Sequence, residues 1–225
     1  MTSSTTDDDG AGPTEWCGSV GVGPWHGPWP EDPRYDRQLL ADGDRRNVVD
    51  RYRYWTLEAI VADLDRRRHP FHVAIENFEH DLNIGTVVRT ANAFLAAEVH
   101  VVGRRRWNRR GAMVTDRYQH LRHHADVTGL LEFAAANGLV VVAVDNGPDA
   151  VALETVELPR RCVLLFGQEG PGLTPAARAG AALTVSIAQF GSTRSLNAGV
   201  AAGIAMHDWV RRHADLTAGQ GPDAA

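Results

Sequence analysis

RCVLLFGQEGPGLTPAARAG, residues 161–180, reads as a strand, a glycine loop and a helix in succession. Residues 161–167 are apolar from Cys162 to Phe166, as a strand covered on both faces is. Three glycines then fall within the eight residues Gly167-Gln168-Glu169-Gly170-Pro171-Gly172-Leu173-Thr174. Glycine serves where backbone turns tightly or comes close to a ligand. Thr174 is a natural cap for a short helix over 174–180, with Pro175 at its first position. The loop lacks the Lys of a P-loop, and its G-x-x-G-x-G order is not the dinucleotide fingerprint. A plain glycine-rich connector competes with a ligand site; Glu169 counts against the connector, because an acid inside a glycine turn needs a partner.

Outward from this stretch the same alternation repeats. Strands are predicted over 71–78, 99–103, 139–144, 161–167 and 182–188, and helices over 56–67, 84–96, 129–137, 174–180 and 195–212. Apolar strands separated by helices predict an α/β fold, a parallel sheet flanked by helices, with ligands at the carboxyl ends of the strands. The loop after 71–78 leads through Asn83, a natural helix cap, to Arg89 on a helix of otherwise small and apolar residues. Arg89 is either a buried ion-pair partner, with Glu169 as the candidate acid, or a fork-shaped clamp for phosphate. A third loop, 189–197, ends with Ser195 as the expected cap. The helix it opens carries Gly199-x-x-x-Gly203, a bare face suited to close packing and to a subunit interface.

Together NIGTVVRTA (83–91), LLFGQEGPGL (164–173) and SIAQFGSTRSLNAGVAAGI (186–204) resemble, in order and spacing, the three motifs of the SpoU/TrmH branch of SPOUT RNA methyltransferases. The resemblance spans roughly 71–212. It implies a SPOUT-type domain with a C-terminal deep trefoil knot, S-adenosyl-L-methionine as methyl donor, a homodimer, and methylation of a ribose 2′-hydroxyl in tRNA or rRNA. Carried over, it implies catalytic roles for Asn83, Arg89, Glu169, Ser195 and Asn197. Cofactor contacts, largely through backbone, fall on Val144, Gly167, Ile187 and Leu196. Two positions depart from the family pattern: Ala188 stands where a Pro is usual, which suggests a looser turn, and Leu95 stands where a Gly is common, a matter of packing. Base methylation, as in other SPOUT branches, and a catalytically silent RNA-binding protein of the same fold are the alternatives. The S-L-N motif favours ribose, and the intact polar set argues against silence. Arg is a poor base, with a pKa above about 12, so Arg89 is expected to bind phosphate and polarise the hydroxyl. No metal is required.

The formal charge of −5 does not exclude RNA, because six of the 28 acids lie in residues 1–33 with no base among them. The remaining 22 acids face 23 bases, and every base is Arg. Seven of these lie within 100–125 beside one acid, Asp116. Arg104, Arg105, Arg106, Arg109 and Arg110 around Trp107, with Arg194, are the expected RNA-binding surface. The competing reading of 104–110 is a solvated loop anchored by one Trp. His120, His123 and His124 are a poor metal set without Cys or paired acids. Two cysteines, Cys17 and Cys162, exclude a disulfide framework. No run of eighteen apolar residues suggests a membrane span, and the acidic N-terminus resembles no leader, so a cytoplasmic protein is expected. A disordered arm is expected over 1–33, an N-terminal extension with one helix over 34–70, the methyltransferase domain over 71–213 and a loose tail over 214–225.

Overall fold

The computed structural model describes residues 21–78, 83–168 and 170–217. The chain divides into two compact units, Met1–Thr56 and Leu57–Ala224. In the first, residues 21–33 depart from the disordered arm expected there. Val22 bridges Asp44, and Trp25 packs edge-on against Tyr35 and Tyr54 at 6.0 and 5.4 Å. The extension over 34–70 holds two α-helices rather than one, α1 (Arg37–Asp42) and α2 (Leu57–Asp65), and α2 belongs to the second unit. Asp44 is fully buried. Burial alone would raise its pKa, but hydrogen bonds from the Arg46 guanidinium and from the Arg46 and Tyr54 N–H groups outweigh that and lower it.

The second unit is a seven-stranded parallel sheet. Its strands are β1 (His72–Asn77), β2 (Val99–Gly103), β3 (Leu121–His124), β4 (Val140–Val144), β5 (Val151–Ala152), β6 (Cys162–Phe166) and β7 (Leu183–Ser186). They lie in the order β3-β2-β1-β6-β4-β7-β5, every pairing parallel. Helices α3 (Ile84–Ala93), α4 (Val127–Ala136), α5 (Pro175–Gly180) and α6 (Ala198–His213) cover it. Alternate residues of β6 serve opposite faces. Leu164 and Phe166 pack with Val88, Met206 and Trp209 of α3 and α6; Val163 and Leu165 pack with Leu130 and Ala177 of α4 and α5. All five residues of β6 are buried, as the apolar run predicts. Among the described residues no helix is long and apolar enough to cross a membrane.

Three local findings revise the sequence reading. The bare face of α6 meets α3 of the same chain: a Cβ on Gly199 would lie 3.1 Å from Thr86 Cγ2, and one on Gly203 3.9 Å from Thr90 Cγ2. Leu95 sits at φ 53°, in the left-handed region, so its departure from glycine bears on backbone strain rather than packing. The N–H of Ala188, which a Pro would lack, donates to Glu154 Oε1 at 3.1 Å, so the turn is tied and not loosened.

The three clustered histidines do not converge. His120 bonds Asp65, His123 bonds the Gly103 carbonyl, and His124 belongs to a different group. That group is a chain across three strands. His72 Nδ1 lies 3.0 Å from His100 Nε2, and His100 Nδ1 lies 2.9 Å from His124 Nε2, all packed on Phe133. Glu98, Arg122, Arg161 and His123 are the neighbouring charged or titratable groups. Burial, with the neighbouring rings and Arg122 adding to it, pushes the His100 pKa down to about 2; burial foremost also lowers those of His72 and His124. The unfolded chain therefore takes up a proton at His100 below pH 6.5 that the folded protein refuses. This part of the stability is fully present above that pH and is lost as pH falls, by about 1.4 kcal/mol per pH unit for one ring. Urea unfolding at pH 7.5, 6 and 5 should show the decline, and His100→Leu should flatten it by about one proton.

Candidate functional site

A cavity of about 340 Å³ opens at the carboxyl ends of β4, β6 and β7, where an open parallel sheet places its ligands and within the size range of ligand pockets, about 300–1,000 Å³. Three segments contribute to it: 144–146 at the end of β4, 166–168 with 170–172 at the end of β6, and Ile187, Gln189 and 194–198 beyond β7, with Arg178 and Ala201 completing the wall. Val144, Gly167, Ile187 and Leu196, all expected at a cofactor site, line this one cavity together with Ser195 and Asn197.

The glycine loop keeps its shape by folding back on itself. Gln168 and Gly172 exchange backbone hydrogen bonds of 3.2 and 3.1 Å. A Cβ on Gly167 would stand 2.2 Å from the Gly172 carbonyl carbon, and Gly172 itself has φ 72°. Beyond the turn, Thr174 caps α5 as expected, accepting from Ala177 N–H at 3.3 Å. A buried carboxylate fixes it there. Glu76 of β1 accepts from Thr174 N–H at 2.8 Å and from its hydroxyl at 2.6 Å. Glu169 lies outside the described residues.

The third loop meets the first at a pair of asparagines. Asn197, not Ser195, caps α6, its Oδ1 accepting from the Gly199 and Val200 N–H groups at 2.9 and 3.2 Å. Asn197 Nδ2 donates to Asn83 Oδ1 at 2.9 Å. Asn83 does occupy the cap position of α3, but its side chain makes no capping bond there. Ser195 is exposed at the cavity, with no side-chain hydrogen bond among the described residues. Arg89 is exposed on α3 and does not line the cavity; among the described residues it has no ion pair, which removes the buried-partner reading for all of them.

The arginine loop stands against the start of α3. A Cβ on Gly85 would meet the Ala112 nitrogen at 2.6 Å and Gly111 Cα at 2.7 Å. Asn77 Nδ2 holds the loop's other end through the carbonyls of Arg104 and Arg106, at 2.7 and 3.0 Å. Arg104, Arg105, Arg106 and Arg110 are exposed, whereas Arg109 pairs with Asp116 at 3.0 Å. Trp107 is half-buried and packs against the hydrophobic core. Arg194 is exposed at the cavity.

Sequence reasoning missed Glu76, Asn77 and Gln189. The first two were legible as polar residues closing an apolar strand. Gln189 lines the cavity, and its buried Oε1 has no hydrogen-bond partner among the described residues. The glycine geometry makes a paired test. Gly167→Ala should cost on the order of 2–3 kcal/mol, because backbone must move to admit the methyl. Gly203→Ala should be neutral or stabilising by about 0.5–1 kcal/mol, since its Cβ meets only an ordinary contact in a helix interior. Urea titration of both variants decides this.

The family model for the SpoU rRNA Methylase family matches residues 70–207. The tRNA (guanosine(18)-2'-O)-methyltransferase of Escherichia coli is 26% identical over 161 residues, covering 70% of each chain. The enzyme of the same name from Thermus thermophilus is 28% identical over 161 residues, covering 68% of this chain and 80% of its own. The crystal structure of the SpoU methyltransferase AviRb from Streptomyces viridochromogenes, in complex with the cofactor AdoMet, superposes with a TM-score of 0.59 at 25% identity, covering 67% of this chain and 63% of that one. With more than half its length matched by that family model, the chain belongs to the SpoU rRNA Methylase family.

Proposed function

We propose that this protein transfers a methyl group from S-adenosyl-L-methionine to a ribose 2′-hydroxyl of RNA, tRNA or rRNA. The observation that carries the reading is the Asn197–Asn83 hydrogen bond at the edge of the cavity, because it joins two of the three motif loops beside the third. Relatives of this family bear names that specify 2′-O-methylation of tRNA, and one neighbour is solved with AdoMet bound.

The cavity's chemistry suits that donor. Val144, Phe166, Ile187 and Leu196 offer apolar walls for a flat heterocycle, and main chain at 167 and 170–172 offers hydrogen-bonding groups at close approach. When bound, the donor supplies an electrophilic methyl on a sulfonium. The chain's own task is to orient a weak hydroxyl nucleophile and let its proton leave. Ser195 and Asn197 face the cavity and bind the hydroxyl or its ribose. Arg89 binds the neighbouring RNA phosphate; its exposure outside the cavity lining favours a clamp over a proton acceptor. The phosphate or a water takes the proton. Arg104–Arg106, Arg110 and Arg194 extend the cationic track, with Arg109 joining it if RNA displaces Asp116.

The same reading carries the deep trefoil knot around the cofactor loops, a cytoplasmic place of work and a homodimer. An apolar strip on α6, Val200 at 52% and Ile204 at 38% exposed one turn apart, supports the dimer. The test is a series at Arg89. Arg89→Ala should lower single-turnover methylation at least a hundredfold while donor affinity by calorimetry stays within about twofold. Arg89→Lys should be nearly as impaired, since an ammonium lacks the two-pronged fork. Full activity in Arg89→Lys overturns the clamp, and absence of donor binding to folded wild type overturns the cofactor assignment.

A further inference from the structure

Phe190 is 98% exposed, more than any other large apolar side chain among the described residues. Leaving a phenylalanine wholly in water forgoes about 1.5–3 kcal/mol of burial. A floppy loop would make this unremarkable, but here both stems are held. Ala188 N–H donates to Glu154, and Asn146 Nδ2 donates to the Arg194 carbonyl at 3.0 Å. Ile187 and Gln189 on one side of Phe190, and Arg194 and Ser195 on the other, line the cavity. The ring is therefore carried on a segment anchored to the site at both ends.

Its neighbours indicate what it meets. Gly191, Ser192, Thr193 and Arg194 are all exposed, and none is apolar. A protein–protein core would surround the ring with further apolar side chains. A single aromatic beside hydroxyls and a guanidinium that has no ion pair among the described residues is instead the composition of a base-stacking platform on RNA.

We infer that Phe190 stacks on an unpaired nucleobase beside the methylated ribose, with Arg194 on an adjoining phosphate. The inference rests on the RNA methyltransferase reading and narrows its substrate class. Bases inside an A-form duplex have both faces covered, so the target lies in a loop, bulge or single strand.

The experiment measures methylation of total RNA from a strain lacking the gene, with radiolabelled S-adenosylmethionine, by wild type, Phe190→Ala, Phe190→Leu and Phe190→Trp. Loss of one stacked base, about 1–3 kcal/mol, corresponds to roughly 5- to 160-fold in RNA affinity. Phe190→Ala should raise the KM for RNA within that range, Phe190→Trp should restore it, and Phe190→Leu should not. Donor affinity and sedimentation should stay at wild-type values. If Leu serves as well as Phe, the contact is apolar and not stacking, and the inference falls. If Phe190→Ala changes the oligomeric state, the ring belongs to a subunit contact and the inference falls. A folded wild type that methylates none of this RNA defeats the underlying reading, whereas an active wild type matched by Phe190→Ala defeats only the role of the ring.

Discussion

Glu76 is completely buried near the carboxyl end of β1, and a carboxylate removed from water persists only where donors meet it. The donors are the N–H and hydroxyl of Thr174. That arrangement pins the start of α5 to β1, beside the strand from which the glycine loop leaves. Asn77, the next residue, ties the other neighbouring loop through the carbonyls of Arg104 and Arg106. Two adjacent side chains of one strand thus hold both the glycine loop and the arginine loop. An apolar isostere at Glu76 would leave the Thr174 N–H and hydroxyl short of their acceptor, at a cost of roughly 1–3 kcal/mol for a buried unmet group.

From this anchor the site is assembled by approach of backbone to backbone. Gly167 lets the turn fold on itself, Gly85 lets the arginine loop reach α3, and Gly199 lets α6 lie against Thr86. The Asn197–Asn83 bond closes the ring of contacts by fixing the first residue before α6 to the first before α3. Rigidity of this kind suits a reaction limited by alignment of a weak nucleophile. The charge sits elsewhere: Arg89 and the arginine loop are exposed, where screened cations steer and hold a polyanion.

Most of the parallel sheet was legible because its strands are apolar on both faces. The pattern over 99–103 matches β2 to the residue, and 161–167 and 139–144 miss their strands by one or two positions. β3 was not legible: its residues are Leu-Arg-His-His, and what makes it a strand is pairing with β2 and the histidine chain. Residues 21–33 read as shapeless from their Gly and Pro, yet Trp25 supplies packing that no periodicity announces. The caps divide the same way. Thr174 and Asn197 cap their helices by local chemistry, whereas the Asn83 side chain turns from its own helix to accept from Asn197 across 114 positions of chain. Ser195, two residues before Asn197, looked like the cap because serine and asparagine are about equally good caps and local chemistry does not choose between neighbours so close.

The central claim is that the cavity beside Asn83 and Asn197 serves 2′-O-methylation of RNA. Its most direct test is mass spectrometry of nucleosides from tRNA and rRNA, compared between a wild-type strain, a deletion strain and the deletion complemented with Asn197→Ala. The account predicts that one ribose-methylated nucleoside falls in the deletion strain and that the Asn197→Ala protein does not restore it. A nucleoside profile unchanged by the deletion, a loss confined to a base-methylated nucleoside, or full restoration by Asn197→Ala would contradict it.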